Sequence, residues 1–195
     1  DYFQRVYRRS MKYMSALIVP IAFGATLLSR ERLVFLYGEK FVPASGAFAV
    51  LMWAAVFVFL GTIYGNALVA AGLQRYIMMY SAVGLAVNIS LNLLLIPKYG
   101  IIGAAIATLN SYGGAAYLVQ VLDRRIRPYA LEYVRASLVP VGASCVMILF
   151  LYFMGTHWAL PVKVLSGMAL YMLALYAMRF FDPEDKEYLR QIFLS

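Results

Sequence analysis

Apolar runs of about 20 residues, separated by short polar stretches, constrain the fold of this chain more than any other feature. The chain has 195 residues, of which 64% are hydrophobic and 13% are charged. A soluble domain is nearer half apolar and a quarter charged, so one core of this size cannot hide the excess. The composition therefore predicts an all-α integral membrane protein, because helices satisfy their own backbone hydrogen bonds in lipid.

The apolar runs predict six transmembrane helices that form one bundle. The predicted spans are about residues 13–37, 44–64, 76–96, 101–122, 134–154 and 160–181. They make up a domain of residues 1–181 that opens with a basic lead-in, and residues 182–195 follow as a short amphipathic tail. The first residues read like the middle of a protein, so we expect a piece of a longer chain.

The distribution of positive charge predicts the orientation in the membrane. Of the 17 Lys and Arg residues, twelve lie on the side that holds both chain ends and five on the other side. By the positive-inside rule, both ends of this multi-pass protein are expected in the cytoplasm. The net charge of +8 does not indicate a nucleic-acid partner, because the basic residues are scattered between apolar runs and form no basic patch in the sequence. Membrane lipids are the expected surroundings.

The stretch NISLNLLLIPKYGIIGAAIAT, residues 88–108, predicts a helical hairpin whose turn lies at a membrane surface. Asn88 and Asn92 share one helix face, because residues four apart stack over each other. Pro97 is expected to end the first helix, since it cannot continue the hydrogen-bond ladder. Gly100 and Gly103 would let the returning helix approach closely.

Neutral polar residues inside the spans are the candidate binding groups. A buried amide in lipid needs a partner, so each of them either bonds to a neighbouring helix or lines a wet cavity. Both uses remain open for each residue. The candidate cavity-lining residues are Asn66, Asn88, Asn92, Asn110 and Ser111. Arg30 and Arg75, at span ends, are candidates for the cavity mouth.

Proline and small residues are the candidate hinge and packing positions. A proline inside a span kinks the helix, and small residues four apart let two helices approach to backbone distance. A kink at Pro20 is either a hinge or static. The candidate positions are Pro20, Gly61, Gly65, Pro97, Gly100, Gly103 and Ala107.

The sequence gives no sign of an enzyme, a metal site or a cofactor. The only histidine, His157, lies in a short loop, and Cys145 has no companion for a disulfide or a metal. All nine acidic residues fall in predicted loops, span ends or the N-terminal arm. An intramembrane enzyme would be expected to hold an ionisable group at depth.

The hairpin stretch resembles the hallmark segment in the C-terminal half of bacterial polysaccharide and oligosaccharide flippases. These proteins belong to the multidrug/oligosaccharidyl-lipid/polysaccharide exporter superfamily, and the segment lies in their polysaccharide biosynthesis C-terminal domain. The pattern is roughly N...N..LIP.yG..GAA.AT. The matching residues are Asn88, Asn92, Leu95, Ile96, Pro97, Tyr99, Gly100, Gly103, Ala104, Ala105, Ala107 and Thr108.

The resemblance implies a flippase that moves lipid-linked oligosaccharide or polysaccharide precursors across the bacterial inner membrane by alternating access. The chain would be its C-terminal six-helix bundle. It would work with a missing N-terminal bundle or a second copy, on a polyprenyl-linked sugar, and without a cofactor. The chain departs from the family because no arginine lies deep in a predicted span and no carboxylate is available for ion coupling.

Three other functions stay open. A drug/cation antiporter of the same superfamily would need an acidic residue in its cavity, which only the missing half could supply. A non-transporting membrane scaffold subunit would use the asparagines for helix packing alone. A membrane enzyme is the remaining alternative.

Overall fold

The computed structural model describes residues 2–29, 34–35, 38–154 and 158–181. Within these ranges the chain is helical and contains no strand, which confirms the predicted all-α membrane protein. A short 3-10 helix, Glu39–Ala44, precedes the second helix, and a π-helical segment, Asn110–Ala116, follows the third. The α-helices are α1 Tyr2–Leu27, α2 Ser45–Ala70, α3 Gln74–Leu109, α4 Tyr117–Leu122, α5 Arg127–Met154 and α6 Leu160–Ala177.

The structure joins two of the six predicted spans in one helical stretch. In the described residues, five helical stretches are long and apolar enough to cross a membrane, against the six that the sequence predicts. The difference lies in residues 74–122, where α3, the π-helical segment and α4 follow one another as a single stretch of 49 residues. The predicted spans 76–96 and 101–122 both fall inside it.

This stretch folds back on itself as a hairpin. A straight helix would separate residues 88 and 111 by about 35 Å, at about 1.5 Å per residue. Instead, the amide nitrogen of Asn88 lies 3.4 Å from the hydroxyl of Ser111. A Cβ added to Gly84 would lie 3.4 Å from the Cβ of Ala116. Residues 74–99 and 101–122 are therefore two antiparallel arms, called the first and second arm below.

The reversal occurs at Gly100 rather than at Pro97. Gly100 has φ 57° and ψ −131°, a backbone conformation that residues with a Cβ rarely adopt. Pro97 lies inside α3, so the prediction that it ends the helix is wrong. Proline removes only one backbone donor and its φ is compatible with a helix, whereas the change of direction needs a positive φ.

The chain divides into two compact units, residues 1–138 and 139–195. Four tyrosines from three helical stretches pack at the centre of the first unit. The ring of Tyr64 lies 5.7 Å from the rings of Tyr80 and Tyr133, and Tyr133 lies 5.2 Å from Tyr117. Tyr64 is fully buried. Such tilted aromatic pairs stabilise a core beyond their area alone.

Gly61 and Gly65 make room for two of these tyrosines. A Cβ on Gly61 would lie 3.5 Å from the hydroxyl oxygen of Tyr133, and one on Gly65 would lie 3.7 Å from that of Tyr80. The small-residue pair in α2 thus faces aromatic side chains of α5 and the first arm. Its nearest neighbours are side-chain atoms and not the backbone of another helix.

The first helix begins at Tyr2, well before the predicted start of the first span at residue 13. The basic lead-in is therefore continuous with the span. Pro20 lies inside α1. The helix is tied to α5 by two hydrogen bonds, from the hydroxyl of Tyr7 to the carbonyl oxygen of Tyr129 and between the hydroxyls of Ser15 and Ser137, both 2.7 Å long.

The second unit holds the later part of α5 and all of α6. Gly167 of α6 faces Leu151 of α5, where an added Cβ would lie 3.2 Å from a methyl group. Lys163, in the first turn of α6, is buried. Predictions for Arg30, His157 and the tail at 182–195 lie outside the described residues.

Candidate functional site

A chain of hydrogen bonds joins the two arms of the hairpin. Asn92 donates from its amide nitrogen to the side-chain oxygen of Asn88 at 2.9 Å, so the two asparagines do share one helix face. Asn88 donates in turn to the hydroxyl of Ser111 on the second arm at 3.4 Å. Ser111 donates to the carbonyl oxygen of Thr108 at 3.1 Å. Three of the predicted cavity-lining residues are thus in contact.

Asn88, Thr108 and Ser111 border a cleft of about 310 Å³ between the arms, whereas Asn92 is not among the residues that line it. Asn88 is about 21 Å from the start of α3 and about 15 Å from Lys98 in the turn, at about 1.5 Å per residue. The cleft therefore reaches the middle of the first arm. Its lining mixes hydroxyl, amide and apolar groups from Tyr80, Ser81, Gly84, Leu85, Asn88, Thr108, Ser111, Tyr112 and Ala116.

The second arm carries a π-helical segment, Asn110–Ala116, beside this cleft. Single π turns inside α-helices occur frequently at functional sites. Ser111, Tyr112 and Ala116 of this segment all line the cleft. The adjacent Gly113 packs so closely on Phe57 of α2 that an added Cβ would lie 2.6 Å from the ring. The apolar pattern does not predict this segment. The signal that could have indicated it is the Gly113–Gly114 pair, which weakens an α-helix.

Three buried oxygen atoms in the first unit have no hydrogen-bond partner among the described residues. They are the side-chain oxygens of Asn92 and Gln120 and the hydroxyl oxygen of Tyr64. A buried acceptor without a partner is costly, and such atoms are frequently satisfied by water or a ligand. Asn92 therefore offers an unused acceptor next to the bonded pair at Asn88.

Two other predicted site residues lie apart from the cleft. Asn110 is exposed and donates to the carbonyl oxygen of Ile106 at 2.9 Å. Asn66 is exposed and borders a separate groove of about 240 Å³ between α1 and α2. This groove is lined by Phe3, Val6, Tyr7, Ser10, Ile63, Asn66 and Ala67.

The predicted packing residues differ in how tightly they are held. Ala107 is fully buried and Gly103 is buried beside it on the second arm. A Cβ on Gly103 would meet the carbonyl oxygen of Leu95 on the first arm and would lie 2.6 Å from its carbonyl carbon. The two arms thus touch at backbone distance near the turn. Pro97 is exposed.

A carboxylate that the sequence analysis assigns to a loop lies inside a helix. Glu132 is in the second turn of α5, and its side chain is only 10% exposed. It pairs with Arg8 of α1 at 3.4 Å and with Arg135 at 3.0 Å. Glu132 lies just outside the span predicted from residue 134, but it is helical because α5 begins seven residues before that span, at Arg127. The pair ties α1 to α5.

Arg75, the other predicted residue of the cavity mouth, stands at the beginning of the first arm. Its guanidinium donates to the hydroxyl of Tyr76 at 3.0 Å. Tyr76 precedes Tyr80 of the cleft by one helical turn, so the two share a face. The arginine therefore lies near one end of the cleft. The hairpin as a whole offers neutral hydrogen-bonding groups at depth and positive charge at one end.

The chain is similar to proteins of two archaea. An uncharacterized membrane protein of Methanocaldococcus jannaschii is 30% identical over 109 residues, which are 56% of this chain and 21% of that protein. A Haloferax volcanii protein named "Probable low-salt glycan biosynthesis flippase" is 28% identical over 109 residues, 56% of this chain and 23% of that protein. Another from the same organism, named "Probable flippase", is 29% identical over 150 residues, 74% of this chain and 31% of that protein.

The chain therefore spans less than a third of the length of each of these relatives. No protein-family profile matches it, and no solved structure matches it.

Proposed function

We propose that the chain is the C-terminal helical bundle of a flippase that moves lipid-linked oligosaccharides across the cytoplasmic membrane. The similarity to two proteins named as flippases, one of them in glycan biosynthesis, supports this assignment. The observation that carries it is the polar cleft at mid-depth between the hairpin arms. A chain that only packed in lipid would have no need of a cleft there.

The cleft suits a sugar because its polar groups are neutral and of both hydrogen-bonding kinds. Amides donate and accept, and hydroxyls do the same, which complements the hydroxyl groups of a glycan. Asn88 and Ser111 are already bonded to each other at 3.4 Å, a long bond that a sugar hydroxyl can replace.

Transport proceeds in this proposal by alternating access. A second bundle, either a further part of the parent protein or a second copy, faces the cleft, and the two bundles rock to open it to each side in turn. The outer surface of the hairpin faces lipid, where Leu93, Leu94 and Ile101 are more than half exposed. Both chain ends lie in the cytoplasm, and the turn at Lys98 faces outward.

The orientation has a direct test. In a background without the native cysteine, Lys98→Cys and Arg125→Cys should react with a membrane-impermeant thiol reagent from opposite sides of intact cells. The reason is that Lys98 precedes the second arm, at the turn, and Arg125 follows its other end. Reaction from the same side would contradict the antiparallel hairpin as a transmembrane element.

Transport itself is tested in vesicles that contain the full-length parent protein and a fluorescent polyprenyl-diphosphate oligosaccharide. Asn88→Leu removes the polar link between the arms and should lower the flipping rate about tenfold, the expected loss for about 1.4 kcal/mol of substrate binding. Asn110→Leu is the matched control, since Asn110 bonds only to Ile106 of its own helix. Equal rates for the two variants would mean that the asparagines serve helix packing, as in a scaffold subunit.

A further inference from the structure

Two guanidinium groups converge on one phenol oxygen where the hairpin begins. Arg75 donates to the hydroxyl of Tyr76 at 3.0 Å, and Arg125 donates to the same oxygen at 3.3 Å. The guanidinium of Arg75 also lies over the Tyr76 ring, 4.9 Å from its centre. Tyr76 is buried, with 6% of its surface exposed, whereas both arginines are exposed and reach its hydroxyl from the surface. Two positive charges are thereby held within a few ångströms of each other.

Neither arginine has an acidic partner in the described part of the chain. Asp123 is close in sequence, but it accepts the backbone N–H of Arg125 at 2.9 Å. The described ion pairs of the first unit involve Glu132 with other arginines. Like charges repel at this separation, and the phenol is a neutral acceptor that leaves both charges uncompensated. An anion from outside the protein would relieve the repulsion.

The arginines stand at helix ends, where transmembrane helices reach the lipid headgroups. Tyr76 is the third residue of α3, and Arg125 lies in the turn between α4 and α5, so both are at helix ends. The first turn of α3 adds partial positive charge, because its capping residue, Leu73, provides no side-chain hydrogen bond to the free N–H groups. Arg124 and Arg127 are exposed nearby in the sequence and raise the local potential.

We propose that Arg75, Tyr76 and Arg125 form a binding site for the phosphate group of a membrane lipid. Each guanidinium uses one of its five donors on the phenol and keeps the others for a ligand. Two planar donor groups side by side match the oxygens of a phosphate better than isolated positive charges do. The site does not depend on the transport function. The phosphate belongs either to an anionic bilayer phospholipid or to a polyprenyl phosphate, which present the same chemistry.

The test compares two double variants of the full chain that lose the same charge. Arg75→Ala/Arg125→Ala removes the proposed site, and Arg124→Ala/Arg127→Ala removes two neighbouring exposed arginines outside the hydrogen bonds to Tyr76. Purified protein in a neutral detergent is titrated with phosphatidylglycerol, undecaprenyl phosphate and, as the neutral baseline, phosphatidylcholine. Retained lipid is counted by native mass spectrometry. We expect the first variant to bind at least one anionic lipid about tenfold more weakly, as for the loss of charge-assisted hydrogen bonds, with little change in the second.

The outcomes separate the two sources of phosphate. A selective loss of phosphatidylglycerol identifies a bilayer phospholipid, and a selective loss of undecaprenyl phosphate identifies a polyprenyl lipid. Equal losses of lipid binding in both double variants would overturn the site, because binding would then follow net charge. No loss in either variant would also overturn it, because the lipid would then bind elsewhere. Arg75→Lys/Arg125→Lys keeps the charge but not the planar donor groups and should still weaken binding. This variant provides the test if the alanine variant does not fold.

Discussion

Gly103→Ala should open the hairpin, because the added methyl group has nowhere to go. It would touch the carbonyl oxygen of Leu95 and lie 2.6 Å from the carbonyl carbon and 3.1 Å from the nitrogen of Ile96. Carbon atoms in good contact are about 3.5–4.0 Å apart, so the arms must separate by about 1 Å. All three neighbours are backbone atoms and cannot rotate away. The long bond between Asn88 and Ser111 would then break.

The expected loss of stability follows from these contacts. Overpacking costs about 1–3 kcal/mol, here at the upper end, and the broken bond adds about 1 kcal/mol. Better helix propensity of alanine offsets about 1 kcal/mol. The net loss of about 3 kcal/mol should lower the thermal midpoint in detergent by about 6–12 °C for a chain of this size.

The assay combines global unfolding with a local cross-link. Gly84→Cys with Ala116→Cys places two Cβ atoms 3.4 Å apart, close to the range for a disulfide. In a background without the native cysteine the cross-link should form readily, and Gly103→Ala should reduce its yield. Gly65→Ala is the control, because its nearest neighbour is the Tyr80 hydroxyl oxygen at an ordinary 3.7 Å. Equal midpoints and equal yields for Gly103→Ala and Gly65→Ala would refute the backbone contact between the arms.

Two further predictions concern the packing around the hairpin. Gly113→Ala should cost about 1–3 kcal/mol against the Phe57 ring, and Phe57→Leu in the same chain should restore part of the loss, as measured by thermal unfolding; no rescue would show that the ring is not the obstacle. Arg8→Ala and Arg135→Ala should each cost about 1 kcal/mol alone but about 3–5 kcal/mol together, because only the double variant leaves the buried Glu132 carboxylate unpaired. If the stability losses of the two single variants simply added up in the double variant, the two arginines would not share Glu132 as their partner.

The part of the fold that depends on local pattern is predictable from the sequence. The apolar runs predict the helices, and the four-residue spacing of Asn88 and Asn92 predicts their shared helix face, which their hydrogen bond confirms. The sequence predicts the turn at residues 98–100, where the structure has it at Gly100, but it predicts the end of the first helix at Pro97, which lies inside α3. The fixed φ of proline is compatible with a helix, whereas the positive φ of the reversal is open to glycine, so Gly100 and not Pro97 is the residue at which the chain turns.

The remaining features depend on contacts between distant residues. Neither the bond from Asn88 to Ser111 nor the convergence of Arg75 and Arg125 has a local signature, since each needs the two arms side by side. The burial of Glu132 depends on α1 starting early enough to cover the beginning of α5. From the sequence alone, a charged residue is assigned to a loop or to the surface, because charged residues usually lie there.

Whether the hairpin cleft holds water inside the membrane decides between transport and mere packing. Asn88→Cys borders the cleft, whereas Ile89→Cys is its neighbour on the exposed apolar surface of the same arm. With the full-length parent protein in membrane vesicles and no other cysteine present, a hydrophilic thiol reagent should modify position 88 and leave position 89 unmodified. No reaction at position 88 would contradict the account, because the asparagines would then be dry contacts between helices.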